Sequence, residues 1–188
     1  MTLLDIDGFH GTSSESAELI QKSSFNESNS ETEWLGHGVY FFVDGVSDPL
    51  ENAKEWAKAQ AYDRKTETYK YVKYSVLKSK ISLEFDRLID LTNTDGIRKF
   101  NSVKELLFEK IFKNFDSEKI PGDRHNCMMF NFVVATLGAN GVKHNLYIKS
   151  IRERKIFLRL NVPNTTVLCV LKKHFDSNST QVYLGEIT

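Results

Sequence analysis

Two segments near the start of the chain gather residue types able to work on a polar ligand. One is Phe9-His10-Gly11-Thr12-Ser13, and the other is Gly36-His37-Gly38-Val39-Tyr40-Phe41, about thirty residues further on. A third segment, with Ala53, Trp56 and Ala57, follows after about ten more. An imidazole can donate or accept a hydrogen bond and titrates near neutral pH. A tyrosine offers an aromatic face with a polar tip. Taken separately, each segment has an ordinary explanation: a hydrogen-bonded histidine at a strand end, a turn before an aromatic strand, and routine helix packing. The glycine pair is not the G-x-G-x-x-G phosphate cradle, because aromatic residues follow the second glycine and no helix opens there.

The order and spacing of the set resemble the ADP-ribosyltransferase superfamily, in its branch similar to poly(ADP-ribose) polymerases. Members of that branch carry His-Gly-Thr or His-Gly-Ser on a first strand, then Gly-x-Gly-[Ile/Val]-Tyr-Phe on a second, then a helix with small residues. The matching part covers roughly residues 8 to 60. The resemblance implies an α+β fold with split antiparallel sheets around an NAD cleft, and a pentosyl-transferring enzyme that uses NAD as substrate and no metal. His10 would bond a ribose hydroxyl, its other ring nitrogen being fixed by the protein. Gly11 would offer its backbone to the nicotinamide carboxamide, Tyr40 would stack on the nicotinamide, and Gly38 is also expected to bind the NAD. Thr12 and Ser13 would serve the second ribose or the phosphates, and Ser47 the carboxamide. This reading requires the imidazole of His10 and the ring of Tyr40 to meet around one ligand, and side chains on opposite faces of the sheet, or core between them, would overturn it.

As nicotinamide leaves, a ribosyl cation develops, and a nearby carboxylate stabilises it electrostatically. The family usually supplies a Glu on a late strand, but its Glu-Tyr-x-x-Tyr pattern does not occur here. Glu153 is the preferred candidate, in Ser150-Ile151-Arg152-Glu153-Arg154, with Gln181 and Glu186 as alternatives. The flanking arginines would hold Glu153 ionised; the ordinary reading of the same residues is a solvated charged turn. A Gln at the catalytic position would remove the acid that chain elongation needs, and mono-ADP-ribosylation is expected with either residue there.

The elements expected to position these residues are as follows. A strand spans Leu3 to His10, and a helix spans Ser14 to Lys22, capped by Ser14. Ser23 to Glu33 is a polar exposed loop. Gly38 to Val43 is a strand, Asp44 to Pro49 a turn, and Glu51 to Tyr62 an amphipathic helix. Strands follow at Tyr69 to Leu77 and Ile81 to Phe85. Ser102 with Glu105 reads as a capping box for a helix reaching Phe115. Asp123 to Leu137 is a helix closed by Gly138. Strands are then expected at Leu146 to Ile151, Lys155 to Leu160, Thr166 to Leu171 and Thr180 to Ile187. The lack of regular strand-helix alternation argues for α+β rather than a doubly wound sheet.

The 188 residues fit one domain. Twenty-five basic residues balance twenty-five acidic ones, which argues against a non-specific nucleic-acid coat protein. Cys127 and Cys169 lie among apolar neighbours and outside any C-x-x-C pair, so buried free thiols are expected. His125 and His144 read as surface residues, while His37 either reaches the NAD phosphates or is simply exposed. No signal peptide or membrane span is read, and a cytoplasmic protein is expected. Free-standing catalytic domains of this kind resemble bacterial toxins of toxin–antitoxin or phage-defence modules. That implies a macromolecular acceptor (RNA, DNA or protein) and an antitoxin or other inhibitory partner. Tyr69 to Lys80, where lysines and tyrosines interleave, fits a nucleic-acid groove or an ordinary edge strand. Other readings are an NAD glycohydrolase on the same fold, an inactive NAD-binding relative, and an unrelated ligand-binding α+β domain.

Overall fold

The structure is a computed structural model and describes residues 2–110, 121–158, 160–171 and 175–187. Its elements in chain order begin with β1 (Leu3–Ser13), α1 (Ser14–Lys22), β2 (Val39–Phe42), α2 (Pro49–Ala61), and a two-stranded hairpin of β3 (Tyr62–Asp63) and β4 (Thr68–Tyr69). They continue with β5 (Lys73–Glu84), β6 (Leu88–Asp90), α3 (Thr94–Lys110), α4 (His125–Leu137), β7 (Gly141–Leu146), α5 (Ile151–Lys155), β8 (Thr165–Val170) and β9 (Phe175–Glu186). Seven strands form one sheet in the order β6-β7-β8-β2-β1-β5-β9. All pairs are antiparallel except β6 with β7. The protein is therefore α+β with a large, mostly antiparallel sheet.

Side chains alternate across a pleated strand, so register tells which residues share a face. Phe9 pairs with Phe42, Tyr40 with Cys169, and Gly11 with Val76. Phe42, Cys169 and Val76 belong to one core cluster, which Ala53 of α2, Leu107 of α3 and Val133 of α4 cover. The opposite face carries Val39, Phe41, Leu77, Ile81 and Leu168, packed by Ala17 of α1 and by Phe25. Among the described residues, no helix is long and apolar enough to cross a membrane.

What was expected as two sheets around a cleft is one hydrogen-bonded series that nearly parts in the middle. β1 and β5 pair over eleven consecutive positions, whereas β1 and β2 share the single register pair Phe9 with Phe42. Among the described residues that one pair joins the bank β1-β5-β9 to the bank β2-β8-β7-β6.

Several elements differ from the sequence expectations for local reasons. Ser13, not Ser14, caps α1, its hydroxyl accepting from the Ser16 N–H at 3.1 Å. The polar segment from Ser23 to Glu33 is not simply an exposed loop: Phe25 is 1% exposed in the core, and Ser28 exchanges both backbone hydrogen bonds with Gly38. The two strands expected between Tyr69 and Phe85 are largely one, β5, lying inside the sheet rather than at its edge. α3 begins at Thr94, where the Asn93 side chain takes the Gly96 N–H at 2.9 Å; Ser102 lies within the helix, bonding back to the Arg98 carbonyl. The expected end at Phe115 lies outside the described residues. Leu146 ends β7, and residues 147–151, 155–158 and 160 are not in strands. Ser150 and Glu153 close a capping box that starts α5 instead.

Candidate functional site

His10 lies near the end of β1, where the sheet parts. Its Nδ1 is 2.9 Å from the Tyr40 carbonyl oxygen. A carbonyl only accepts, so Nδ1 carries the proton and Nε2 remains an acceptor. Burial holds the imidazole below its ordinary pKa, and the bond to Tyr40 offsets this only in part. The ring packs edge-on against Phe25 at 5.2 Å and Phe41 at 6.1 Å. His10 is thus a neutral, oriented hydrogen-bond acceptor.

Tyr40 is fixed by its hydroxyl, which donates to the Gly36 carbonyl at 2.7 Å and accepts the Leu35 N–H at 2.9 Å. Burial drives its pKa well above the tyrosine range. The turn holding those backbone groups needs Gly36 at φ +86°, where a Cβ would come 2.6 Å from the Asn131 side-chain oxygen. The two rings do not face each other as expected. In the register set by Phe9 and Phe42, His10 falls on the Phe41 face and Tyr40 on the Cys169 face. They meet through the Tyr40 carbonyl rather than ring to ring. The two side chains thus stand on opposite faces, against the requirement of the sequence reading, although both border one cleft of about 290 Å³.

That cleft is lined also by Asn26, Ser28, Glu33, Trp34, Trp56 and Gln60. Trp34 and Trp56 meet edge-to-face at 5.3 Å, and Trp56 lies 6.4 Å from Phe42. Aromatic walls with a few polar groups are the usual makeup of a small-molecule site. Glu33 brings a carboxylate, which accepts the Ser28 hydroxyl. The sequence reading missed Glu33 and Trp34 because the first ends a low-complexity stretch and the second follows it, and it read Trp56 as packing. The local signal for the first two was the bridge that Ser28 makes to Gly38, which sequence spacing does not reveal.

Other expected site residues lie elsewhere. Gly11 is buried, and a Cβ there would fall 1.8 Å from the Ala53 carbonyl oxygen. The close approach that requires glycine is made by helix α2. Gly38 borders the cleft, and a Cβ on it would strike Cys169 Sγ at 2.7 Å. Thr12 is half-buried opposite Ser75. Ser13 is committed to capping α1. Ser47 donates to the Asn164 carbonyl at 2.6 Å and bonds Asn52, outside the cleft lining. His37 borders a different cavity, with Cys127 and Arg124.

Glu153 is also outside that lining. Its carboxylate takes the Ser150 N–H and hydroxyl, each at 2.8 Å, and the Tyr147 hydroxyl at 2.8 Å. Burial opposes its charge, but these bonds and nearby Lys149 outweigh burial and hold the carboxyl below the usual glutamate value. It is a structural cap. Gln181 stands in the same cross-sheet row as His10, since His10 pairs with Leu77 and Leu77 with Gln181. Glu186 pairs with Lys73 further along, 3.9 Å from its ammonium.

Cys127 and Cys169 are buried free thiols, and burial pushes Cys169 up to about 12. His125 and His144 are half-buried rather than surface residues. Nε2 of the first and Nδ1 of the second have no hydrogen-bond partner among the described residues. No cluster of three or more metal-ligating side chains occurs among the described residues. No family model, no curated protein and no solved structure matches the chain.

Proposed function

We propose that the parted seam between β1 and β2 binds NAD and that the protein transfers ADP-ribose from it to a macromolecular acceptor. The observation that carries this reading is the His10 ring, with Nδ1 tied to the Tyr40 carbonyl and Nε2 left to accept a ribose hydroxyl at the edge of an aromatic cleft. The opening of one sheet into two banks, joined by one pair, is consistent with the split-sheet fold that the sequence resemblance implies. Trp56 and Tyr40 supply flat walls for a nicotinamide ring, and offset or edge-to-face stacking adds about 1 kcal/mol beyond area burial.

The carboxylate assignment moves from Glu153 to Glu33, the acid that lines the cleft. There it would oppose the positive charge developing on ribose as nicotinamide departs. A second reading, NAD binding without turnover, is favoured by one observation: the residue in row with His10 is Gln181, an amide. Nicotinamide release from NAD, measured with and without a cell lysate, separates the two. Release that His10→Gln and Glu33→Gln abolish and Glu153→Gln retains is the expected result. An NAD-dependent thermal shift without release selects the second reading, and no shift at all overturns both. Release without any labelled macromolecule selects a glycohydrolase. Retention of label on nucleic acid or protein identifies the acceptor class. A toxin role with an inhibitory partner belongs to the same proposal and is tested by growth arrest on expression.

A further inference from the structure

A second concavity, of about 730 Å³, adjoins the cleft and shares Trp34 and Ile148 with it. One wall is the β3–β4 hairpin with Tyr62, Arg64, Lys65 and Lys70; the other is the stretch with Tyr147, Lys149 and Arg154. Five cations line it against one carboxylate, Asp63, which accepts the Lys65 N–H at 2.8 Å and lies near Lys65 and Lys70, as Glu153 outside the lining lies near Lys149. Among the described residues none of these five has a carboxylate within ion-pairing distance, although lysines 54, 58, 73 and 78 do. In a chain with zero formal net charge, this is a local positive field and not an overall one.

Aromatic faces alternate with the charges. Arg154 lies 5.7 Å over the Trp56 ring, which lines the cleft, so it sits at the join between the two concavities. Outside the lining itself, Lys155 stands 5.3 Å over Tyr62, and Phe157, a residue 63% exposed, has Arg64 4.5 Å over its ring. Trp34 is 37% exposed at the boundary. Unpaired cations fit phosphates, and exposed rings fit bases whose faces are free. An acidic peptide would use the cations and leave the rings idle. A duplex hides its base faces and could not use the rings either.

We propose that this groove binds a single-stranded nucleic acid, its phosphates on Arg64, Lys65, Lys70, Lys149 and Arg154 and its bases against the rings, and so presents the acceptor to the cleft. This deepens the transfer reading and rests on it. It also moves the nucleic-acid surface away from the interleaved lysines of β5. Lys73 and Lys78 there face Glu186 and Asp7, and the Tyr71 hydroxyl donates to the Ala57 carbonyl.

The test is anisotropy of a short labelled single strand, RNA and DNA in turn, titrated with protein in the absence of NAD. Engagement of about four phosphates gives a log–log salt slope near −3, or about fifty-fold weaker binding between 50 and 200 mM salt. The Lys65→Glu/Lys70→Glu pair, on the exposed hairpin, is expected to weaken binding by ten-fold or more with an unchanged unfolding midpoint. The distant pair Lys22→Glu/Lys104→Glu is expected to change it less than two-fold. Equal weakening by both pairs, or equally tight binding of a duplex or of poly-glutamate, overturns the proposal. So does nicotinamide release by a protein that binds no single strand, while single-strand binding by a protein that releases none overturns the transfer reading and leaves the groove standing. If the groove instead serves the NAD phosphates, the hairpin pair weakens NAD binding and no strand binds, which also overturns it.

Discussion

At the scale of single residues, His10 and Tyr40 are linked through one carbonyl, and each has a measurable consequence. Tyr40→Phe removes a donor to Gly36 and leaves the buried Leu35 N–H without its acceptor. Loss of the two bonds is expected to cost about 1–3 kcal/mol in urea unfolding, because an unmet buried amide is the expensive part. An unchanged midpoint would mean that water replaces the hydroxyl. The pH dependence follows from His10 and His144, both held below the ordinary imidazole value of 6.5 chiefly by burial. Below 6.5 the unfolded chain takes up protons that the folded one refuses. Stability is therefore complete above that pH and declines as pH falls toward the lowered folded values. The His10→Gln variant should show a shallower decline between pH 6.5 and 5 when thermal midpoints are plotted against pH. A parallel curve would mean that His10 protonates freely in the folded protein.

At the scale of elements, helix α2 depends on one absent side chain. It approaches β1 at Gly11, where a methyl group would overlap the Ala53 carbonyl; α3 approaches the end of β6 similarly, since a Cβ on Gly96 would fall 1.8 Å from the Asp90 carbonyl oxygen. Gly11→Ala is expected to destabilise by about 1–3 kcal/mol or more through overpacking. Gly138→Ala, at a left-handed helix end with open space around it, is expected to cost about 1 kcal/mol from backbone strain alone. Similar losses at both sites by calorimetry would show that α2 can shift away from β1.

Elements with regular periodicity were legible in the sequence: α1, β2, the body of α2, α4 with its glycine stop, and β8 all lie near their expected places. The misread ones share a cause. Around Ser150 a capping box sat inside a run of branched and aromatic residues that mimics a strand. At Gly96 a residue that normally argues against helix is demanded by contact with β6. The site was half-legible for the same reason. His10, Gly38 and Tyr40 lie where two motifs announce them. Glu33, Trp34 and Trp56 reach the cleft only through tertiary packing, and Glu153 lies outside its lining with its oxygens bonded to Ser150 and Tyr147.

At the scale of the whole molecule, the two banks of the sheet touch through one strand pair, yet the chain weaves between them. It passes from β1 to β2, back to β5, over to β6 through β8, and returns for β9. Helix α2 lies across the opening, with Ala53 against Gly11 on one side and Trp56 beside Phe42 on the other. Unfolding is accordingly expected as one transition, with tryptophan fluorescence and far-ultraviolet dichroism coinciding. Separated midpoints would show banks that melt on their own. Interleaving of this kind lets a slot widen or narrow without either half being able to drift free, much as laced fabric gapes but does not separate. A guest that lodges in the slot need supply only enough energy to set its width, and the lacing itself needs no remaking.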